Sequence, residues 1–189
     1  MPITKWKKTG EPKIIAEGYG KKFIKQKFKD HKNRQTDFFF IETGDWATIL
    51  AITEDNKVIM TRQYKQGSDT IVEELPAGAV EKTDNNPTET IKRELLEETG
   101  YKTGKLISLG SVWANSRHSH SRAHCFLALD CKKTSTPKFD ESEQIEMYEI
   151  TLDEFISRIL NTEIINWDAY IITLRALRHI KLKVSVTRL

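Results

Sequence analysis

Three glutamates in the segment KRELLEETGY, residues 92–101, have the residue type and spacing that favour metal chemistry. Glu97 and Glu98 follow Glu94 at three and four residues, a separation that brings side chains together on a helix. Like charges at this separation destabilise a helix, and a divalent cation is the usual compensator. Carboxylate oxygens are hard ligands, so the cluster favours magnesium or manganese over zinc. The alternative is a solvated helix face, which acidic runs usually form.

A helix over about residues 87–99 must position these carboxylates. Asn86 is a suitable N-cap before a proline at the first helical position, and Gly100 provides a stop at the other end. At about 100° per residue, Ile91 and Leu95 fall on one side of this helix, which we expect to pack on a sheet. The three glutamates then lie at the border between core and solvent.

The sequence on both sides of this helix predicts the rest of the fold. Residues 54–57 are a hairpin turn between WATILAIT and KVIMTRQY, and continuous apolar runs of this kind favour strands buried on both faces. TIVEELPAG, KLISLGSVWAN, RAHCFLALDC and IEMYEI predict further strands. Thr151 and Asn166 are N-caps for two last helices. We therefore predict an α/β (α+β) fold in which a mixed β-sheet is sandwiched between helices.

The amino-terminal region differs from the rest of the chain in composition. The first 35 residues contain ten lysines and an arginine, together with irregularly spaced aromatic and aliphatic residues. This pattern favours short strands over a disordered tail. We predict a β-rich amino-terminal extension, residues 1–44, followed by one domain over residues 45–189.

Composition argues against several classes of protein. The formal net charge is +3, which is too small to favour a nucleic-acid partner. No apolar run reaches the roughly 20 residues that cross a bilayer, and no signal-peptide pattern is present. The two cysteines have neither zinc nor disulfide spacing, which is typical of a reducing compartment. We expect a cytoplasmic protein without a membrane or nucleic-acid partner.

The segment GAVEKTDNNPTETIKRELLEETGY, residues 78–101, resembles the signature of the Nudix hydrolases. Its second half matches that signature in register, at Arg93, Glu94, Leu95, Glu97, Glu98 and Gly100. The first half departs from it, because the loop has one extra residue and Asp84 or Asn85 stands where the family has a glutamate. The resemblance implies the Nudix fold and a magnesium cofactor, with manganese as an alternative.

A wider resemblance, over about residues 45–155, is to the Nudix branch that cleaves ADP-ribose and related nucleoside diphosphate sugars. VIMTRQYKQGSDTIVEELPAGAVE carries it. It implies Mg-dependent hydrolysis to a nucleoside monophosphate and a sugar phosphate, and a homodimer built through the amino-terminal segment. Three other substrates stay open, namely GDP-mannose, a dinucleoside polyphosphate and an RNA 5′ end. A domain that binds a nucleotide sugar without cleaving it is a further alternative.

The resemblance also implies roles for individual residues. The metal ligands are Glu94 and Glu98 with the backbone carbonyl of Ala77. Glu97 is a further ligand or bridging contact, and Arg93 orients these acids at the catalytic centre. The acidic stretch FDESEQIE, residues 139–146, resembles a mobile loop that supplies a general base. The candidates for that base are Glu143 and Glu141, and those for substrate contacts are Arg62, Glu74 and Ser119.

Overall fold

The computed structural model describes residues 3–139, 144–164 and 166–180. Within these residues the strands are β1 (Lys7–Gly18), β2 (Lys21–Lys29), β3 (Gln35–Glu42), β4 (Trp46–Thr53), β5 (Lys57–Lys65), β6 (Thr70–Glu74), β7 (Ala77–Ala79), β8 (Tyr101–Lys102), β9 (Lys105–Trp113), β10 (Arg122–Lys133) and β11 (Ile145–Thr151). The helices are α1 (Pro87–Thr99), α2 (Leu152–Leu160) and α3 (Trp167–Ala176). The chain divides into two compact units, Met1–Asp45 with Val112–Arg122, and Trp46–Ser111 with Ala123–Leu189.

The first unit is a three-stranded antiparallel sheet in the order β1-β2-β3. The predicted strands are present, and they are longer than the irregular spacing of apolar residues indicated, since β1 alone has 12 residues. Residues 112–122 join this unit through a bridge between Ile41 and Ser119. The division of the chain at residues 44 and 45 stays a prediction.

The second unit contains a mixed sheet in the order β11-β5-β4-β10-β8, with β6 beside β5, β7 beside β4 and β9 beside β10. Strands β4 and β10 are parallel, whereas β5 is antiparallel to β4 and β11. Ile49 of β4 is fully buried in a core cluster with Ile91 and Leu95 of α1. Its neighbour Thr48 points to the other face, because side chains alternate along a strand, and there it contacts Asp168 of α3. Helices on both faces of a mixed sheet confirm the predicted fold class.

Helix α1 begins and ends where the sequence predicted. The side chain of Asn86 accepts hydrogen bonds from the backbone N–H groups of Thr88 and Glu89, at 3.0 and 3.2 Å. Gly100 has a φ of 78°, and a Cβ at this position would lie 2.1 Å from the carbonyl oxygen of Ser135. Glycine is therefore required by both the left-handed conformation and the close approach of a neighbouring loop.

Two local predictions were wrong in detail. TIVEELPAG forms two strands, β6 and β7, because the chain turns at Pro76 and then pairs with β4. Asn166 occupies the N-cap position of α3 but makes no side-chain cap hydrogen bond. Its amide instead donates to the carboxylate of Glu74 at 2.9 Å. None of the helices in the described parts of the chain is long and apolar enough to span a membrane.

Candidate active site

The carboxylates of Glu94 and Glu98 meet β7 at two consecutive residues. Glu98 is only 5% exposed, and its Oε2 accepts a hydrogen bond from the backbone N–H of Ala77 at 3.2 Å. Glu94 lies so close to Gly78 that a Cβ at this glycine would be 2.0 Å from the Glu94 Cδ. Helix α1 therefore presents two acidic side chains, one turn apart, to the same short strand.

Arg93 binds three of the acidic side chains around it. Its Nη1 lies 2.9 Å from an oxygen of Glu94 and 2.9 Å from an oxygen of Glu97, and its Nη2 lies 3.2 Å from Asp84 Oδ2. Burial lowers the pKa of Arg93, but the carboxylates of Asp84, Glu94 and Glu97 outweigh this and raise it above its ordinary value. The guanidinium thus stays charged and contacts these acids, and its predicted role of orienting them stays a prediction.

Asp84 stands near the position where the Nudix signature has a glutamate. Its Oδ2 accepts hydrogen bonds from the backbone N–H of Glu81 at 3.0 Å, from Thr90 Oγ1 at 2.9 Å and from Arg93 Nη2 at 3.2 Å. The hydrogen bond from Arg93 is the largest of the contacts that hold the pKa of Asp84 below its ordinary value. Asn85 turns away and donates to Glu89. Asp84 therefore closes the longer loop and holds Arg93 at the same time.

The oxygen donors of this site fit a hard divalent cation. Two carboxylates approach consecutive residues of one strand, and carboxylate and carbonyl oxygens are the ligands that magnesium and manganese take. Among the described residues, no three His, Cys, Asp or Glu side chains already converge on one point. Arg93 contacts both Glu94 and Glu97, and the Glu97 side chain is 46% exposed. Glu94 and Glu98 therefore form the candidate ligand pair, and the roles of the Ala77 carbonyl and of Glu97 stay predictions.

Glu74 lies at the end of β6, directly before the turn that leads into β7. Its Oε1 accepts from Gln63 Nε2 at 2.7 Å and pairs with Lys65 Nζ at 2.7 Å, and its Oε2 accepts from Asn166 Nδ2 at 2.9 Å. Three donors thus surround a carboxylate that is 9% exposed as a residue. The structure places this predicted substrate contact inside the protein, where it joins β5 to α3.

Arg62 is not brought to the carboxylates of α1. Side chains alternate along β5, so Arg62 lies on the face opposite to Ile59, which packs in the α1 core. The Arg62 guanidinium makes two hydrogen bonds to Glu146, at 2.8 and 2.7 Å, and lies over the ring of Tyr148. Its predicted contact with a phosphate stays a prediction.

The other predicted site residues lie elsewhere. Ser119 belongs to the first unit, where its Oγ lies 2.7 Å from Ser121 Oγ and accepts from the Ser121 backbone N–H at 3.0 Å. Glu141 and Glu143, the candidates for the general base, lie outside the described residues. The stretch before them is fixed to α1, because the Lys138 N–H donates to the Glu97 carbonyl at 2.7 Å.

Comparison with known proteins gives a consistent set of matches. Residues 44–174 match the family model of the NUDIX domain. The chain is similar to an ADP-ribose pyrophosphatase from Bacillus subtilis (strain 168), with 32% identity over 138 residues that cover 72% of each protein. It is also similar to a methanol dehydrogenase activator from Bacillus methanolicus, with 34% identity over 60% of this chain and 61% of that protein.

Two further matches concern substrate and fold. A GDP-mannose pyrophosphatase from Pectobacterium atrosepticum is 30% identical over 61% of this chain and 64% of that protein. The crystal structure of an ADP compounds hydrolase aligns with a TM-score of 0.77, covering 94% of this chain and 97% of that one. Its sequence identity is 16%, so this last match shows a shared fold alone.

Proposed function

Since the chain belongs to the Nudix family, we propose that it hydrolyses the diphosphate bond of ADP-ribose or a related nucleoside diphosphate sugar. The products are a nucleoside monophosphate and a sugar phosphate. The observation that carries the proposal is the meeting of Glu94 and Glu98 with the backbone at Ala77 and Gly78. The similar ADP-ribose and GDP-mannose pyrophosphatases support a nucleotide sugar as the substrate.

Nudix hydrolases use a divalent metal ion, and we propose magnesium here, with manganese as an alternative. Glu94, Glu98 and the carbonyl of Ala77 would hold it. A metal ion held there would supply charge that neutralises phosphate oxygens and would make a water molecule easier to deprotonate for attack on the diphosphate. The Ala77 N–H fixes one carboxylate oxygen of Glu98, and Arg93 holds an oxygen of Glu94.

A general base must accept the proton of the attacking water. We propose Glu143 or Glu141 for this role, and the hydrogen bond from the Lys138 N–H to the Glu97 carbonyl supports it, because it places Lys138, three residues before Glu141, at the end of α1. Glu97 is a further candidate, since its side chain is half exposed and already oriented by Arg93.

We further propose that the protein is a cytoplasmic homodimer that associates through residues 1–44. The three-stranded sheet of this segment exposes large apolar side chains, among them Ile14 at 49%, Phe23 at 40% and Phe39 at 43%. Exposed apolar patches on a sheet are typical of association surfaces. Light scattering on the purified chain distinguishes a dimer from a monomer, and a monomer at all concentrations would refute the assembly.

The proposed hydrolysis is tested with a panel of ADP-ribose, ADP-glucose, GDP-mannose, diadenosine polyphosphates and triphosphate-ended RNA, each with Mg²⁺ and with Mn²⁺. We expect turnover of a nucleotide sugar by the parent protein, and its loss in Glu98→Gln, because an amide replaces a negatively charged metal ligand. The matched control is Glu89→Gln, which makes the same chemical change on an exposed part of α1. It should retain the parent rate.

GDP-mannose is the second candidate substrate, favoured by the similar GDP-mannose pyrophosphatase. Product identification by chromatography separates it from ADP-ribose, since one gives GMP and the other AMP. If no member of the panel is cleaved while one binds tightly, the chain is a nucleotide-sugar-binding domain and not a hydrolase. Equal turnover by Glu98→Gln and the parent would show that the metal ligands are misassigned.

A further inference from the structure

The turn from Glu74 to Gly78 is fixed by contacts on two sides. On one side Ala77 donates to Glu98 of α1, as described above. On the other side the first turn of α3 makes two contacts, Asn166 with Glu74 at 2.9 Å and Asp168 with Thr48 at 2.8 Å. Thr48 is the cross-strand partner of Ala77 in the ladder between β4 and β7. Asp168 therefore contacts β4 on the sheet face opposite to α1, and Asn166 contacts the residue at which the turn begins.

The carboxylate of Glu74 is nearly buried and has three donors around it. Gln63 and Lys65 contact its Oε1, and Asn166 contacts its Oε2. Three donors therefore occupy most of the roughly four acceptor positions of this nearly buried carboxylate before any substrate binds. Glu74 can influence the site along the chain, through Leu75, which is 1% exposed, to Ala77.

The short connection from Glu74 to Ala77 leaves little room for movement. The backbone N–H of Ile49 donates to the carbonyl of Pro76 at 3.1 Å, which fixes the middle of the turn to β4. Gly78 follows, with no space for a Cβ beside Glu94. Since only Leu75 and Pro76 separate Glu74 from Ala77, we expect a change at Glu74 to shift the backbone at Ala77.

The side chain of Asn166 contacts Glu74 instead of capping its own helix. Asparagine at an N-cap normally accepts a hydrogen bond from the first turn. Here that bond is absent, and the amide nitrogen donates to Glu74. Asn166 thus gives up a stabilising local hydrogen bond for a contact with a residue that is distant in sequence. Such an exchange indicates a functional role for the distant contact.

We propose that Glu74 and Asn166 are a pair of positioning residues, which hold the Ala77 carbonyl at the metal ligands Glu94 and Glu98. This inference rests on the proposed function. It assigns Glu74 a role in metal affinity and removes it from the substrate contacts. Residues that orient metal ligands affect affinity or activity by about 10- to 100-fold when they are changed.

The test measures Mn²⁺ binding, from the electron paramagnetic resonance signal of the free ion, and steady-state kinetics. Asn166→Asp keeps a good N-cap residue but places two carboxylates against each other. Asn166→Ser removes the amide without adding charge, and therefore tests the contact if the first variant folds poorly. Combining Asn166→Asp with Glu74→Gln restores the hydrogen bond, because the new amide donates to the new carboxylate while its oxygen still accepts from Gln63 and Lys65.

We expect the Mn²⁺ dissociation constant to rise by about tenfold in both single variants and to return to within about threefold of the parent in the double variant. kcat should fall while KM for the nucleotide sugar stays unchanged, because the substrate does not contact the pair. The matched control is Thr151→Ala, at a residue far along the chain from this turn. It removes the cap of α2, in which Thr151 Oγ1 accepts a hydrogen bond from the Glu154 backbone N–H at 3.1 Å. It should lower Tm without changing Mn²⁺ binding.

The outcomes separate this inference from the function on which it rests. If the parent binds Mn²⁺ and cleaves the substrate while Asn166→Asp and Asn166→Ser bind Mn²⁺ equally well, the positioning role is wrong and the function stands. A raised KM with unchanged Mn²⁺ affinity would instead make Glu74 or Asn166 a substrate contact. If the parent neither binds Mn²⁺ nor cleaves any nucleotide sugar, both the function and the positioning role are wrong.

Discussion

Gly78 gives the sharpest test of the site, because the space that its missing side chain leaves is filled by a candidate metal ligand. In Gly78→Ala the new Cβ would lie 2.0 Å from the Glu94 Cδ, whereas two carbon atoms approach to about 3.5 Å at best. The Glu94 carboxylate must therefore move by about 1.5 Å. Since the far end of a flexible side chain can yield, we expect the fold to survive and the ligand to be displaced.

The displacement has a calculable kinetic effect. A misplacement of about 1 Å at a catalytic site can reduce the rate by about 100-fold, which corresponds to about 2.7 kcal/mol in activation free energy. We therefore expect kcat/KM for ADP-ribose to fall by at least about 100-fold with Mg²⁺. The φ of Gly78 lies outside the left-handed region, so alanine adopts this backbone without strain and Tm should change little.

The assay releases phosphate from the AMP and ribose 5-phosphate products with an added phosphatase and measures it by colour. Gly67→Ala is the matched control, because a Cβ at Gly67 meets no atom within 4 Å. It should keep the parent kcat/KM. A Gly78→Ala protein that retains kcat/KM within about threefold would falsify the placement of Glu94 as a ligand, given that the change preserves the fold.

Two further predictions concern groups with shifted pKa values. Asp84→Asn should lower kcat about tenfold, because Arg93 loses a charged partner. The folded pKa of Asp84 lies below its ordinary value of 3.8. The variant should therefore be less stable than the parent above that pH, and the difference in Tm should shrink as the pH falls through the folded pKa; a difference that grows on acidification contradicts this. Burial raises the pKa of the Cys125 and Cys131 thiols to about 11, so iodoacetamide at pH 8 should modify neither thiol until the protein is unfolded, as checked by mass spectrometry.

The elements that depend on local signals could be predicted from the sequence. Asn86 and Gly100 define the ends of α1 through contacts within a few residues, and the structure confirms both. The buried strand β4 was likewise predicted, because a continuous apolar run requires cover on both faces. The placement of Glu94, Glu97 and Glu98 side by side on α1 follows from helical geometry alone, and Glu98 is indeed buried at the border of the core.

Contacts between residues distant in sequence could not be predicted. Arg62 and its partner Glu146 are 84 residues apart, and no pattern in either strand predicts their contact. Asn166 looked like an ordinary N-cap because its partner Glu74 lies 92 residues earlier. The role of Asp84 was hidden by the extra loop residue, which shifts the register of the signature until the folded turn brings its carboxylate to Arg93.

The contacts that fix the Ala77 turn also have a consequence for folding order. Ala77 and Glu98 are 21 residues apart, whereas Thr48 and Asp168 are 120 residues apart. Contacts of such large sequence separation require closure of long loops and form late. Helix α1 and its hydrogen bond to β7 can therefore form while the chain is still being synthesised, but the turn is completed only when α3 has left the ribosome. We expect catalytic competence to be among the last properties that the folding chain acquires.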